Sequence, residues 1–213
     1  MNAEDLVGRL VWLGHDSFRL DGPPVIYFDP WKLHGRPPVA DLVLVSHEHH
    51  DHCSPEDVKK VSGPGTVVVA AVTAAKQLTG ARAVRPGDRL TVAGVEIEAV
   101  RAYNINKFRS PGVPFHPREA EHVGFVVTVD GVRIYHTGDT DHIPEMAEID
   151  CDVALLPVSG KYVMTVEEAA EAARTLSPQI VVPMHYGSGI GTSGDGQRLT
   201  ELYAGDVLLL EAE

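Results

Sequence analysis

The chain has 213 residues, 44 % of them hydrophobic, enough to bury a substantial core in one large domain or two small ones. Eighteen basic against 30 acidic residues leave a net charge of −12, which gives nucleic acid no general electrostatic attraction, so no nucleic-acid partner is expected. No run approaches the roughly 20 uninterrupted apolar residues that would cross a bilayer. Two cysteines cannot form a disulfide framework, and the opening MNAEDLVGRLVWLG has neither a basic leader nor a long apolar run. No membrane insertion and a cytoplasmic location are therefore expected.

In chain order, short apolar runs at 9–13, 17–20 and 25–28, split by the Asp21-Gly22-Pro23-Pro24 turn, predict antiparallel strands. The run 41–45 (DLVLV) has no polar alternation, which predicts a strand covered on both faces, and it leads directly into SHEHHDHCSPED. Ser54 followed by Pro55, Glu56 and Asp57 carries the signals of a helix start. Further on, 66–70 predicts a strand and 72–79 a short helix stopped by Gly80, while 89–102 predicts two strands hinged at Gly94. Residues 103–122 look irregular, and 123–129 with 132–136, joined by Asp130-Gly131, predict a hairpin. Strands at 153–156, 179–183 and 207–210 and a helix over 165–176 complete the reading. No composition break separates domains, so one α/β domain spanning 1–213 is expected, with sheets covered by helices.

Eleven histidines stand out, four of them between positions 47 and 52. In His47-Glu48-His49-His50-Asp51-His52, positions 47 and 49 are two apart, so an extended backbone turns both imidazoles to one side, where they can share one ion. Asp51 and His52 follow as the chain bends and are placed to hold a second. Two more predicted strands end in metal-capable residues, Asp139 after His136 and His185 after Val182. Imidazole and carboxylate donors without thiolates suit zinc, iron or manganese.

HEHHDH fits the HxHxDH signature of the metallo-β-lactamase superfamily, and the later GDT at Asp139 and MHYG at His185 resemble its downstream metal motifs in the same order. With WLGHDSF (12–18), the FDP ending at Pro30 and IYHTGDTD, the chain looks most like a small branch of metal-dependent hydrolases. That branch is similar to ascorbate-6-phosphate lactonase-like and N-acyl-phosphatidylethanolamine phospholipase D-like proteins. The resemblance implies an αββα sandwich of two mixed β-sheets flanked by helices, with a dinuclear site along one edge. It implies that His47 and His49 bind a first metal, that Asp51, His52 and His185 bind a second, and that Asp139 bridges them. The family supplies one more histidine to the first metal, and here the aligned position is Asn104. Either Asn104 is a weak ligand or a histidine of the same loop replaces it, with His116 between two prolines first and His122 second.

The expected cofactors are two divalent cations, zinc foremost, with manganese or iron as alternatives. A hydroxide between two cations is available near neutral pH because metal binding lowers the pKa of water from 15.7 toward about 7. Asp51 would orient it and Asp139 hold both ions, which predicts hydrolysis of a small or medium anionic ester, lactone or phosphodiester. An iron-dependent oxidoreductase and a non-catalytic metal-binding protein are the competing readings. His15 and Asp29 are candidates to orient ligands. Lys107, Arg109, Lys161 and Tyr162 are candidates to meet an anionic substrate, against a plain surface-loop role. For His136 a structural role is expected. Gly189 to Gly194 spells G-x-G-x-x-G without the strand and helix context of a dinucleotide site.

Overall fold

A computed structural model describes residues 1–187 and 189–213. Among these, the first sheet contains β1 (Leu10–Gly14), β2 (Ser17–Leu20), β3 (Ile26–Phe28), β4 (Leu42–Val45), β5 (Val67–Ala71) and β6 (Arg82–Val84), hydrogen-bonded in that order. The pairs β1–β2 and β2–β3 are antiparallel, and β3 through β6 run parallel. The chain then adds β7 (Arg89–Val92) and β8 (Val95–Arg101), a small hairpin of β9 (Phe108–Ser110) and β10 (Val113–Pro114), and β11 (Val123–Val129), β12 (Val132–His136), β13 (Val153–Pro157), β14 (Ile180–Met184) and β15 (Asp206–Val207). The second sheet is ordered β15-β14-β13-β12-β11-β8-β7, parallel from β12 to β15.

Side-chain alternation sets the layers. Phe28, Leu42 and Leu44 face inward and meet Phe125, Ile134, Leu155 and Val182 of the second sheet in a shared core. Tyr27, Val43 and Val45 face outward onto α2 (Pro55–Val61) and α3 (Val72–Ala75) through Val58, Val61 and Ala74. Tyr135, Leu156 and Val181 likewise face α4 (Val166–Leu176) and α5 (Asp195–Leu202). The result is the expected αββα sandwich of two mixed sheets. Burial on both faces explains why DLVLV lacks alternation. Helix α2 starts as predicted, with Ser54 Oγ accepting from the Asp57 N–H at 3.2 Å. At α4, Thr165 and Glu168 form a reciprocal capping box. Among the described residues no helix is long and apolar enough to cross a membrane.

Several elements differ from the sequence reading. Segment 103–122 contains the β9–β10 hairpin and a 3-10 turn at Arg118–Ala120. The last strand pairs only over Asp206–Val207, and α3 ends at Ala75. Helices α1 (Ala3–Val7) and α5, strand β6 and a 3-10 turn at Pro144–Glu148 were not anticipated.

The C-terminal ends of β3 and β4 in one sheet and of β12, β13 and β14 in the other meet at one edge. There the Val123 N–H donates to the Ser46 carbonyl across the sheets at 3.1 Å. Gly138 sits at φ +60°, and a Cβ on it would lie 3.0 Å from the Val123 oxygen and 3.1 Å from the Ser46 Cβ. Only glycine permits both that backbone and that approach.

Candidate metal centre

Beyond β4, His47 Nε2 lies 3.0 Å from His49 Nδ1. His116 Nε2 lies 3.2 Å from the same His49 nitrogen and 3.1 Å from Asp139 Oδ2. One donor atom from each of these four residues falls within 4.8 Å of the others. Asn104 stays outside the group. Its Oδ1 accepts from the His116 backbone N–H at 2.8 Å and from His116 Nδ1 at 2.9 Å, and its Nδ2 donates to Asp141 Oδ1 and the Tyr162 carbonyl. A proton on Nδ1 leaves the His116 Nε2 lone pair facing the cluster. Of the three residues that the sequence left as alternatives, His116 joins the cluster and Asn104 orients it. His122 pairs with Glu48 at 2.9 Å and does not join.

Asp139, three residues beyond the end of β12, faces a second set. Its Oδ1 is 3.4 Å from His52 Nε2 and its Oδ2 is 3.5 Å from His185 Nε2. The fourth convergent residue here is Asp16, from the β1–β2 turn, which the sequence reading missed. Asp51, expected in this set, is turned aside: its Oδ2 meets His15 Nε2 at 3.2 Å, and it is not among the convergent groups. The His15 ring packs 4.1 Å from that of His185, and its carbonyl accepts from the His185 N–H.

A buried carboxylate behind both sets fixes ring orientations. Asp29 Oδ2 accepts from His52 Nδ1 at 2.8 Å and from Ser46 Oγ at 2.5 Å, while Oδ1 accepts from the Ser46 N–H. Ser46 Oγ in turn stands 2.9 Å from His47 Nδ1. Ser159 Oγ is 2.8 Å from His185 Nδ1. Asp16 lies in WLGHDSF and Asp141 in IYHTGDTD, but neither they nor Ser46 and Ser159 were singled out by the sequence; their places arise from distant segments meeting at the sheet edge.

The electrostatics differ across Asp139. Burial, then the neighbouring imidazoles, push His47 well below the usual histidine range and His49 down to about 4. Burial also opposes charge on His52 and His185, but the Asp139 carboxylate outweighs it, helped by Asp29 at His52 and Asp16 at His185. His52 is raised well above its usual value, and His185 is pushed up to about 9. Asp139 itself is desolvated, yet His185, His52 and His116 hold it far below the carboxylate range. Burial, chiefly, brings His15 down to about 4.

These groups fit divalent cations. His52 Nε2, Asp139 Oδ1 and both Asp16 oxygens are buried without a hydrogen-bond partner, and the convergent atoms are imidazole nitrogens and carboxylate oxygens. No thiolate competes: burial pushes the Cys53 thiol up to about 11.

The remaining candidates are scattered. Lys107 is turned inward, 2.6 Å from Glu168 Oε2 and 3.6 Å from Asp141. Arg109 lies on β9 against Phe115, with its Nη2 3.3 Å from the Phe115 carbonyl. Tyr162 stands 6.5 Å from His185 between ring centroids, and Lys161 lies over Tyr162. His136 stacks on Phe28, with its Nε2 2.8 Å from the Asp16 carbonyl. Beside His15 opens a cavity of about 680 Å³ whose walls include Leu13, Trp31, Lys32, Arg36 and Tyr186. Asp57 of α2 anchors its 31–33 segment by accepting from the Lys32 and Leu33 N–H groups.

Candidate His/Asp metal-binding clusters on the edge of an αββα sandwich point to a class, and comparison with known proteins agrees. The model of the β-lactamase superfamily domain matches residues 9–185. A UPF0173 metal-dependent hydrolase of Methanoculleus marisnigri is 40 % identical over 185 residues, covering 84 % of this chain and 80 % of the relative. A crystal structure from Parabacteroides distasonis, assigned as a metal-dependent hydrolase, superposes with a TM-score of 0.85 at 35 % identity, covering 96 % and 93 % of the two chains. A metallo hydrolase of Ignicoccus hospitalis gives 0.74 at 25 % identity, covering 95 % and 94 %. The chain belongs to the metallo-β-lactamase superfamily and, within it, to the UPF0173 family of metal-dependent hydrolases.

Proposed function

We propose that the protein hydrolyses a small or medium anionic ester, lactone or phosphodiester, using two divalent cations, zinc foremost, held on either side of Asp139. The observation that carries this reading is the Asp139 carboxylate, within 3.1 to 3.5 Å of His116, His52 and His185. Bound cations would supply an acidified water as nucleophile and polarise the substrate carbonyl or phosphoryl group. His47, His49 and His116 would hold one cation, and His52 and His185 the other, with Asp139 shared.

The chain's own groups do the rest. His15 is neutral at pH 7, and its Nε2 meets Asp51 Oδ2. Burial raises the Asp51 carboxyl, but His15 and His52 more than offset it and keep the group ionised. Asp51 Oδ1, 3.6 Å from His50 Nδ1, would orient the water as a hydrogen-bond acceptor. Lys32 and Arg36 in the cavity beside His15 favour an anionic substrate, and Trp31 and Leu13 an apolar portion next to it.

The test compares metal-free protein with zinc- or manganese-loaded protein on a panel of esters, lactones and phosphodiesters. Turnover that requires metal and disappears in Asp139→Asn is expected. A fully loaded protein inert across the panel would oppose the assignment.

A further inference from the structure

Asp16 is unexplained by the hydrolytic reading. It is 0 % exposed, and neither carboxylate oxygen has a hydrogen-bond partner. Burial and the neighbouring Asp139 push the Asp16 carboxyl well above the usual carboxylate range in the metal-free chain, so it either keeps its proton or gives it up to bind a cation. The backbone of the turn that carries it is fixed on three sides. Its own carbonyl faces His136 Nε2 at 2.8 Å, and the neighbouring His15 carbonyl accepts from Trp12 Nε1 at 2.9 Å and from the His185 N–H at 3.1 Å. One of its oxygens lies within 4.8 Å of potential ligand atoms on His52, Asp139 and His185.

We propose that Asp16 is a ligand of the second cation position and that its carboxylate makes this position prefer manganese, while the three-imidazole position takes zinc. The inference rests on the two-cation reading above. The first position offers three imidazoles and the shared Asp139. The second offers two imidazoles and two carboxylates. Carboxylate oxygen suits manganese and imidazole suits zinc, so one added carboxylate separates the preferences of two positions that share Asp139.

The experiment strips wild-type protein of metal, refills it with equimolar Zn²⁺ and Mn²⁺, and collects diffraction data at both absorption edges. Zinc at His47, His49 and His116 is expected, with manganese at His52 and His185 and an Asp16 oxygen coordinated at about 2.1 Å. In parallel, Mn²⁺ binding to the zinc-loaded protein is followed by electron paramagnetic resonance. Asp16→Asn, which keeps the shape, and Asp16→Ala should each weaken Mn²⁺ by about 100-fold or more while zinc content at the first position stays intact. That zinc content also reports that the variants fold, and the wild-type arm needs no variant.

An Asp16 oxygen beyond about 3 Å from a filled second position, outside coordination range, would overturn the ligand assignment, as would wild-type Mn²⁺ affinity in Asp16→Asn. Zinc in both positions would overturn the selectivity. A second position left empty by both metals would remove the two-cation reading itself, whereas one filled without Asp16 would remove this inference alone.

Discussion

On one side of Asp139 stand three imidazoles, two of them held neutral by burial. On the other stand two imidazoles whose protons are retained by the carboxylates around them. The same residue type is tuned in opposite directions across one shared side chain, because Asp29 bonds His52 directly and Asp16 stands beside His185, whereas Asp29 reaches His47 only through Ser46. A cation entering the first set displaces little. A cation entering the second must expel protons, and it receives more negative charge in return.

The largest expected effect breaks both sides at once. Asp139→Asn should lower metal content at both positions and reduce activity by more than about 100-fold, read by elemental analysis beside turnover. Next, Asn104→Ala should act on one side only. It leaves His116 Nδ1 and the His116 backbone N–H without their acceptor, and affinity at the first position should fall by about 10- to 100-fold while the second keeps its metal.

The third prediction concerns pH. His185 in the metal-free chain keeps its proton until about pH 9 and must be neutral to bind. His52 is raised as well and must also lose its proton, so affinity at the second position should rise by at least about tenfold per pH unit as pH approaches 9, with proton release seen by calorimetry in buffers of different ionisation enthalpy. Because His49 titrates near 4, the first position should change little across the neutral range. The smallest effect belongs to the cavity. Arg36→Ala should raise KM for an anionic substrate by about fivefold with kcat nearly unchanged, as for a partly exposed charge contact.

Much of this was legible in the sequence, for physical reasons. The two-residue spacing of His47 and His49 and the continuous apolar run before them report local geometry, which sequence carries directly. The buried strand, the start of α2 and the β11–β12 hairpin were legible on the same grounds. Asp16 was not, because its role depends on the β1–β2 turn meeting β4, β12 and β14, segments far apart in the chain. The choice between Asn104 and His116 was open for the same reason: only the path of the 104–116 segment decides which side chain faces Asp139. Helix α5 was hidden because its N-cap is Gly194, which offers no side-chain cap. Strand β6 has two exposed residues and one buried, and so carries little hydrophobic signal.

The Asp29 carboxylate reaches His52 directly and His47 through Ser46, so it belongs to neither set alone. Any double-mutant cycle pairing a first-set with a second-set histidine will contain a coupling energy transmitted by this common anchor. To isolate direct communication between the two cations, the cycle should be repeated in an Asp29→Asn background, where the residual coupling belongs to Asp139.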